Sequence, residues 1–442
     1  MWQAVCEYVT YPIWDLWDGT GRLRELQSLR RSQYWGAEKL RQLQLERLRS
    51  ITGYAYQHCR FYRERWTSPP QLHRPEDMAK IPIVSKADVS AHVADLVSSE
   101  FATDRLVGAK TGGSTGVALR VYFDEACQKA RNAAAMRTDG WAGWRPGSMV
   151  AGLWGSPPVP RTPKEKIRNT FHDRLIYLDT MRLDDQSMSE FAETMRRLKP
   201  EMLFGHAHSL FIFAQFLQQR DMQVPAVDGI ISTSMMLIDS ERKVIEAAFG
   251  ASVTNRYGCE EVGLIASECE VHGGMHLNSE HVFVEFVRED GMPALPGEEG
   301  RIVVTDLMNR GMPLIRYAVG DMGVPSQRQC ECGRGLPLME RLSGRTADFL
   351  KRRDGSRVAG ISLVEKTLTA ISGIGQLQIV QEKLDEFVLN VVPSPQYTTE
   401  TGEELEAVLR KEFGDDVRVR LNRMERLVQE RNSKYRFSIC KV

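Results

Sequence analysis

The spacing of hydrophobic positions changes several times along the chain, and each change predicts a different kind of structure. From Leu23 to Trp66 hydrophobic residues recur every three or four positions among many charges, which predicts a helix. From Met149 to Asn255 short apolar runs alternate with amphipathic stretches, which predicts a parallel sheet covered by helices. The predicted strands there are Met149–Trp154, Arg174–Leu178, Met202–Phe204, Gly229–Ser232 and Ser252–Tyr257. The predicted helices are Met188–Leu198, Ser209–Gln219 and Ser240–Phe249.

From Met275 to Tyr317 the pattern changes to short strands separated by turns, which predicts a β-rich subdomain containing strands His281–Val287 and Arg301–Thr305. After Ser343 a second unit follows, of a size that folds independently. Its predicted elements are helix Ile361–Ile371, strands Gln376–Gln381 and Phe387–Val392, helix Glu403–Phe413 and strand Val417–Leu421. We therefore predict an α/β protein with a large domain over residues 1–342 and a small, mobile α+β lid domain over residues 343–442.

Composition and charge limit the classes of protein that fit this pattern. The 442 residues are 42% apolar and 26% charged, as in ordinary globular proteins. Lys plus Arg and Asp plus Glu each number 58, so the net charge gives no support for a nucleic-acid partner. No apolar run reaches the roughly 18–20 residues that a membrane-spanning helix needs. The eight cysteines lack the spacing of a small disulfide scaffold, which favours the reducing cytoplasm.

The segment Met1–Gly19 is rich in aromatic residues and contains no Lys or Arg. A secretory signal needs a basic start and an uninterrupted apolar core, so this segment is not predicted to be one. The pattern favours a helix packed on the main domain. Interfacial contact with a membrane through Trp2, Trp14 and Trp17 stays open.

A glycine-rich segment, Lys110-Thr111-Gly112-Gly113-Ser114-Thr115-Gly116, is the strongest chemical signal in the sequence. Glycine lets backbone amides approach a ligand closely, and consecutive amides with hydroxyls make an anion-binding concavity. A nucleotide phosphate is the natural ligand, and a flexible surface loop is the alternative. The segment matches neither a Walker P-loop nor a dinucleotide fingerprint, because the required Lys and glycine spacing are missing.

Four further segments follow this loop in the sequence. They are Tyr257-Gly258-Cys259-Glu260-Glu261, Arg316-Tyr317-Ala318-Val319-Gly320-Asp321, Ser343-Gly344-Arg345-Thr346-Ala347-Asp348 and Arg431-Asn432-Ser433-Lys434-Tyr435-Arg436. Their order resembles the adenylate-forming superfamily of acyl-CoA ligases. Within it the chain is most similar to the phenylacetate–CoA ligase branch and its CapK-like relatives in capsular polysaccharide biosynthesis. The resemblance extends from about Leu40 to Val442.

The resemblance implies a reaction in which a carboxylate attacks the α-phosphate of ATP to give an acyl-adenylate and pyrophosphate. It implies that Glu261 binds Mg²⁺, a hard cation that prefers carboxylate and phosphate oxygens. It also implies that Lys434 bridges the substrate carboxylate and the α-phosphate. Taken alone, Lys434 is better explained as a solvated charge near the end of the chain.

The same resemblance implies a nucleotide site assembled from several segments. Tyr257 would stack on adenine, and Asp321 and Arg345 would bind the ribose. Taken alone, Tyr257 also fits a core position and Asp321 also fits a turn. The residues implied to contact the nucleotide are Thr111, Gly113, Ser114, Thr115, Gly116, Ser234, Tyr257, Gly258, Asp321 and Arg345.

Cys269, His276, Cys330 and Cys332 form a second chemical signal. A Cys-x-Cys pair with a distant Cys and His can bind Zn²⁺ tetrahedrally. The resemblance supports this reading, because some relatives bind structural zinc through such a set, in which the histidine corresponds to His276. His272 is the alternative histidine, and a set of free buried thiols is the alternative to a metal. Four protein ligands leave no position for substrate, so the zinc would be structural.

The pocket for the acid is predicted from strand ends, where open α/β sheets bind ligands. Trp154, Phe204, His206 and His208 lie at such ends, and we assign Trp154, Phe204 and His206 to the substrate. Either histidine could hold a carboxylate, and a histidine satisfied within the fold is the alternative for each.

Together with these features, the resemblance implies an ATP- and Mg²⁺-dependent, AMP-forming ligase that adenylates a carboxylic acid and transfers the acyl group to CoA or to an amine. A nucleotidyltransferase that leaves AMP on its substrate is one alternative. A catalytically degenerate nucleotide-binding protein is another, although retention of Glu261, Asp321, Arg345 and Lys434 argues against it. The sequence leaves open the acid, the acceptor and whether the protein forms a homodimer.

Overall fold

The computed structural model describes residues 2–17, 19, 21–110, 119–155, 157, 160–180, 183–345, 349–427 and 436–442. Thr111, Gly113, Ser114, Thr115, Gly116 and Lys434 lie outside the described residues, as do residues 346–348 at the predicted hinge. The roles predicted for these residues stay predictions.

Fourteen α-helices are present in the described parts of the chain, and none of them has both the length and the apolar character needed to cross a bilayer. The helices are α1 (Trp2–Val5), α2 (Tyr11–Trp17), α3 (Arg22–Ser32), α4 (Ala37–His58), α5 (Arg60–Arg65), α6 (Lys86–Ala91), α7 (Val93–Leu96), α8 (Glu125–Trp141), α9 (Pro163–Arg168), α10 (Asp185–Leu198), α11 (Ala207–Gln219), α12 (Asp239–Phe249), α13 (Gly360–Ala370) and α14 (Thr399–Phe413). Shorter helical turns are Cys6–Thr10, Pro75–Lys80, Thr103–Arg105 and Asn169–Asp173.

The strands form four sheets, the largest of which has eleven strands. The strands are β1 (Val107–Lys110), β2 (Arg120–Phe123), β3 (Val150–Trp154), β4 (Leu175–Asp179), β5 (Met202–His206), β6 (Gly229–Thr233), β7 (Val253–Cys259), β8 (Gly263–Glu268), β9 (Met275–Leu277), β10 (Val282–Val287), β11 (Gly300–Asp306), β12 (Tyr317–Ser326), β13 (Leu338–Arg345), β14 (Phe349–Lys351), β15 (Arg357–Ala359), β16 (Ile374–Lys383), β17 (Glu386–Pro393), β18 (Arg418–Arg423) and β19 (Ser438–Cys440).

The predicted parallel sheet and the predicted β-rich region are two halves of the eleven-stranded sheet. Its strand order is β10-β11-β12-β13-β9-β8-β7-β6-β5-β3-β4. Strands β3 to β7 run parallel, because helices connect them, and the short turn from β7 to β8 reverses the chain direction. From β8 onward the pairing is antiparallel. The predicted α/β class, with its smaller α+β unit, is confirmed.

The parallel half contains a topological switch point. Its order β4-β3-β5-β6-β7 is that of a doubly wound sheet whose first strand, β3, lies between the second and the third. The chain therefore leaves β3 in one direction to reach β4 and then crosses over to build β5, β6 and β7 on the other side. A crevice at the carboxyl ends of β3 and β5 follows from this connectivity, and it is where such sheets bind ligands.

The prediction of one continuous helix from Leu23 to Trp66 is wrong. The segment forms three helices, α3, α4 and α5, separated at residues 33–36 and at Cys59. Gly36 and Cys59 both have extended backbone angles. Trp35, the residue before Gly36, packs closely against Gly335 in the loop between β12 and β13. A side chain at Gly335 would collide with the carbonyl oxygen of Trp35.

The small C-terminal unit has a four-stranded sheet, β18-β17-β16-β19, with α13 and α14 contributing to its core. Ile238, which precedes α12 of the large domain, belongs to the same buried cluster. Phe437 packs edge-on against His208 of α11, with 5.4 Å between the ring centroids. The predicted junction at Ser343 lies within β13, and the division into two domains stays a prediction.

Candidate active site and metal centre

Two of the sequence segments meet through a direct hydrogen bond. The hydroxyl of Tyr257, on β7, donates to a carboxylate oxygen of Asp321, on β12, over 2.8 Å. Asp321 also lies directly opposite Arg345 in the register of β12 and β13. The three residues predicted to contact the adenosine of ATP are therefore together in the fold although they span 88 positions of the sequence (257 to 345).

Glu261 lies beside this group, in the turn from β7 to β8. Glu261 is only 8% exposed, and its Oε1 accepts a hydrogen bond of 3.3 Å from the hydroxyl of Tyr317. Burial, and then the nearby Glu261 carboxylate, raise the pKa of Tyr317 well above its ordinary value, so the phenol stays protonated and donates. An anionic carboxylate oriented in this way is a suitable ligand for a hard cation such as Mg²⁺.

Arg131, on α8, holds the turn that carries Glu261, and sequence reasoning missed it. Its guanidinium donates to the carbonyl oxygens of Glu260 and Glu261 over 3.2 and 2.9 Å and lies 3.4 Å from Asp306. It also stacks 3.7 Å over the ring of Phe123. No local pattern marks Arg131, because its hydrogen-bond and ion-pair partners Glu260, Glu261 and Asp306 are more than a hundred positions away.

Tyr317 was also missed. It lies at the start of β12, four positions before Asp321, and the left-handed backbone at Gly320 (φ 89°) interrupts the alternation of the strand between them, so a simple strand period would not have placed the two side chains together. The quoted motif contains Tyr317, but only its last residue was assigned a role.

Gly258 and Ser234 occupy positions with unusual backbone requirements. A Cβ at Gly258 would lie 2.5 Å from the carbonyl oxygen of Gly263, so only glycine allows β7 and β8 to approach this closely. Ser234 follows β6 with a φ of 66°, a left-handed conformation that is uncommon for serine. Such strain concentrates at functional sites, and it supports the prediction that this loop contacts a ligand.

The predicted substrate residues cluster at the switch point. The ring of Trp154, at the end of β3, stacks on Phe204 with centroids 5.4 Å apart and lies 4.2 Å from the ring of His206, at the end of β5. The guanidinium of Arg256, on β7, lies 5.0 Å from the centroid of the Phe204 ring and pairs with Asp139 at 2.6 Å. The result is an aromatic wall with one neutralised cation beside it.

His208 is paired with an acidic side chain inside the fold. Its Nδ1 lies 2.5 Å from a carboxylate oxygen of Glu241, and both side chains are almost fully buried. His208 therefore follows the alternative that the sequence left open, a histidine with a partner inside the fold.

Cys269, His276, Cys330 and Cys332 lie together, with one ligand atom from each within 4.8 Å of all the others. Cys269 follows β8, His276 is on β9, and the two remaining cysteines are in the loop between β12 and β13. The Sγ atoms of Cys269 and Cys330 are 3.6 Å apart, and Sγ of Cys332 is 3.3 Å from Nε2 of His276. Ligand atoms of a tetrahedral zinc site are separated by about 3.3–3.8 Å, given bonds of about 2.0–2.3 Å, so the four residues fit this metal.

The surroundings of the cluster also suit a metal. Nδ1 of His276 lies 3.2 Å from the carbonyl oxygen of Leu336, a partner that fixes the ring with Nε2 toward the thiols. Trp141 and Leu40 pack around the cysteines. His272 is not part of the cluster, since its Nδ1 lies 3.2 Å from Glu268.

We expect the purified protein to carry about one Zn²⁺ per chain. Cys332→Ser should lose the metal and lower the melting temperature, because the binding energy of a site that forms only on folding contributes to stability. Cys440→Ser, which alters a half-buried thiol outside the cluster, is the matched control and should change neither. Elemental analysis and thermal unfolding measure both effects. Metal-free protein with freely titrating thiols at Cys269, Cys330 and Cys332 would contradict the zinc site.

Comparisons with known proteins agree with this architecture. Residues 350–441 match the family model of the CapK C-terminal domain. The phenylacetate-coenzyme A ligase of Thermus thermophilus is 28% identical over 397 residues, which cover 83% of this chain and 84% of that ligase. The structure of 2-hydroxyisobutyryl-CoA ligase in complex with 2-HIB-AMP superposes with a TM-score of 0.74 at 20% identity, over 93% of this chain and 91% of that one.

A more distant structural match is the amide bond synthetase McbA from Marinactinospora thermotolerans, with a TM-score of 0.52 at 16% identity over 76% of this chain and 68% of that one. The fold and these similarities support the class that the sequence segments predicted, the adenylate-forming superfamily. Within that superfamily they support the branch of phenylacetate–CoA ligases and CapK-like proteins.

Proposed function

We propose that this protein is an ATP-dependent, AMP-forming ligase that activates a carboxylic acid and transfers its acyl group to CoA. The observation that carries the proposal is the hydrogen bond between Tyr257 and Asp321, with Glu261 held beside it by Tyr317. These are the residue types that a site for adenosine and Mg²⁺ requires. The relatives from Thermus thermophilus and the 2-hydroxyisobutyryl-CoA ligase are both CoA ligases, which supports CoA as the acceptor.

The chemistry proceeds in two substitutions. A carboxylate oxygen bonds to the α-phosphorus of ATP while the bond from that phosphorus to pyrophosphate breaks. The sulfur of CoA then bonds to the acyl carbon while the bond to AMP breaks. Two anions must meet in the first step, so groups that neutralise charge on the phosphates accelerate it.

Glu261 is the residue that would hold Mg²⁺, and the ion would neutralise charge on the phosphate oxygens. Asp321 would accept hydrogen bonds from the ribose hydroxyls, and the hydroxyl of Tyr257 fixes that carboxylate from the other side. Arg131 holds the backbone of Glu260 and Glu261, so it is a positioning residue rather than a group that touches the nucleotide.

The small domain would supply Lys434 to this site. Phe437, three positions later in the sequence, contacts His208 at the start of α11, next to the pocket residue His206. This contact supports placing the small domain over the carboxyl ends of the parallel strands. Closure of the small domain over the large one would exclude water from the adenylate.

The aromatic wall of Trp154, Phe204 and His206 would hold the acyl group of the acid. Its position at the switch point between β3 and β5 supports this assignment. The wall favours an acid with an apolar or aromatic body, which the stacked rings can contact over a large area.

Trp154→Ala should raise the KM for the acid by about tenfold or more and leave the KM for ATP unchanged. In the proposed site the lost ring would contact the acyl group and not the nucleotide, so ground-state and transition-state binding of the acid would fall together. Tyr34→Ala, which removes an aromatic side chain that is 56% exposed elsewhere on the surface, is the matched control. Steady-state pyrophosphate release measures both constants. An unchanged KM for the acid in both Trp154→Ala and Phe204→Ala would remove the wall from the substrate site.

The experiment that tests the proposed activity is pyrophosphate release from ATP against a panel of aryl, acyl and amino acids, each with and without CoA. We expect acid-dependent release for one chemical class and acyl-CoA plus AMP as products when CoA is present. An amine acceptor is the alternative, and the amide bond synthetase of the same fold supports testing it in parallel. Mass spectrometry distinguishes a thioester, an amide and a stable AMP adduct.

A further inference from the structure

The outer side of the segment Trp2–Trp17 is apolar where a surface helix is normally polar. The segment is helical throughout, with a π-helical turn at Cys6–Thr10. Glu7 is the one fully exposed charged side chain within it, and Asp15, its other charged residue, pairs with Arg22. The large exposed side chains are Val5 (36%), Tyr8 (75%), Val9 (47%), Ile13 (55%), Leu16 (82%) and Trp17 (72%).

A second segment extends this apolar surface. Ile167, on α9, and Phe171, in the following helical turn, are 56% and 49% exposed. With the six side chains above they form what we call the apolar patch. These eight are half of the sixteen large exposed apolar residues in the described part of the chain. Contiguous apolar surface of this kind marks an interaction site.

The buried side of the segment Trp2–Trp17 packs closely on the large domain. Tyr11 is buried, stacks on His172 with centroids 4.0 Å apart and donates to the carbonyl oxygen of His172 over 3.3 Å. Cys6 is fully buried and packs so tightly that a Cβ at Gly147 would lie 2.6 Å from it. The inner side of the helix is therefore docked on the large domain, and the outer side is a fixed surface.

Cations border the patch along one side. Arg161, Lys164, Lys166 and Arg168 lie within eight consecutive residues that contain one acid, Glu165. Glu165 is engaged locally, since it accepts the backbone N–H groups of Arg161 and Thr162. We call these four cations the basic rim.

The basic rim is in contact with the aromatic residues of the helix. Nζ of Lys164 lies 5.9 Å from the ring centroid of Trp17, and the guanidinium of Arg168 lies 5.8 Å from that of Trp14. Cations and the aromatic rings of the exposed Trp17 and the partly buried Trp14 therefore share one edge of the surface.

We propose that the apolar patch and the basic rim bind the surface of an anionic lipid bilayer. Exposed Trp, Tyr, Leu and Ile side chains suit the boundary between headgroups and acyl chains, and neighbouring Lys and Arg attract anionic headgroups. The protein would lie on the membrane without crossing it.

A second copy of the chain is a poorer occupant of the same surface. Arg168 already pairs with Asp173 at 3.0 Å, which leaves Arg161, Lys164 and Lys166 as the cations of the rim that face outward beside Glu165. A two-fold contact presents the same patch from both subunits, so it would bring two sets of these three cations together. The charge distribution thus favours a negatively charged partner over a copy of itself. This inference goes beyond the proposed activity and does not depend on it.

The test is co-sedimentation of the full chain with vesicles of phosphatidylcholine alone or mixed with phosphatidylglycerol. We expect binding to the mixed vesicles and little binding to phosphatidylcholine alone. Lys164→Gln with Lys166→Gln should weaken binding about thirtyfold, since each basic residue near the surface contributes about fivefold. Leu16→Ser with Trp17→Ser should abolish sedimentation. Met292→Ser with Leu295→Ser, which alters two apolar side chains of similar exposure elsewhere, is the matched control and should bind as wild type.

Each variant is checked by its melting temperature, and Leu16→Ser alone, at a side chain 82% exposed, serves if the double variant is unstable. The proposal is overturned if the protein does not sediment with the mixed vesicles, or if the variants in the patch bind as well as wild type. A dimer in solution that the Leu16 and Trp17 variant converts to a monomer, with no vesicle binding by either, would assign the patch to a second copy instead.

Discussion

Replacing Glu261 by Gln should slow formation of the acyl-adenylate by about 10²–10³-fold and raise the Mg²⁺ concentration needed for activity. The amide keeps the size of the side chain and can still accept from Tyr317, but it loses the negative charge that would hold the ion. Single-turnover pyrophosphate release, at saturating ATP and acid over a range of Mg²⁺ concentrations, measures both effects.

Glu260→Gln is the matched control, because Glu260 is the exposed neighbour of Glu261 and the change removes the same charge. This variant should adenylate at nearly the wild-type rate. Equal slowing of both variants would show a general electrostatic effect rather than a specific ligand. A wild-type rate for Glu261→Gln at every Mg²⁺ concentration would remove Glu261 from the mechanism.

Arg137→Met should lower the free energy of unfolding by about 3–5 kcal/mol. The Arg137 side chain is 1% exposed and donates to Glu280 over 2.7 Å and to Asn278 over 2.8 Å. Glu280 also accepts from the hydroxyl of Ser32, so the network joins α3, α8 and the strand region after β9. Removing the cation leaves a buried carboxylate without its charged partner.

Chemical denaturation of Arg137→Met, Glu280→Gln and the double variant measures this coupling. The double variant should be less destabilised than the sum of the two single variants, because it leaves no buried charge unpaired. Losses that simply add would contradict a direct interaction.

The same pair predicts a pH dependence of stability. Burial alone would raise the pKa of Glu280, but the charge of Arg137 and the hydrogen bonds from Arg137 and Ser32 outweigh it and hold the pKa below the ordinary value of 4.5. A lowered pKa in the folded state means that the stabilisation is complete above about pH 4.5 and is lost as the pH falls below it. Arg137→Met should lose this dependence.

Much of the fold could be predicted because its signals are local. Strands β3, β5 and β6 are largely apolar runs, and these strands and β7 were each placed within a few positions of their observed limits. The break between α3 and α4 could not be predicted in this way, because it depends on contact between Trp35 and Gly335. The union of the parallel and antiparallel halves into one sheet depends on pairing between distant strands, which hydrophobic spacing does not encode.

The residues of the candidate site also differ in whether a local sequence pattern marks them. Tyr257, Glu261 and Asp321 lie in short segments that the family resemblance marks, so roles could be predicted for them from the sequence, and the hydrogen bond from Tyr257 to Asp321 joins two of these segments. Arg131 acts on carbonyl oxygens far along the chain, and no local pattern marks such a contact. The choice of His276 over His272 likewise needed the structure, because both histidines lie near Cys269 in the sequence.

The most direct test of the proposed chemistry is to isolate the intermediate. The protein is incubated with ATP, Mg²⁺ and the acid identified from the panel, without CoA, and the products are separated and weighed by mass spectrometry before and after CoA is added. We predict an enzyme-bound acyl-adenylate, formed with one pyrophosphate for each adenylate, that becomes acyl-CoA and AMP on addition of CoA. Release of pyrophosphate with a stable AMP adduct that CoA does not consume would contradict the ligase and favour a nucleotidyltransferase.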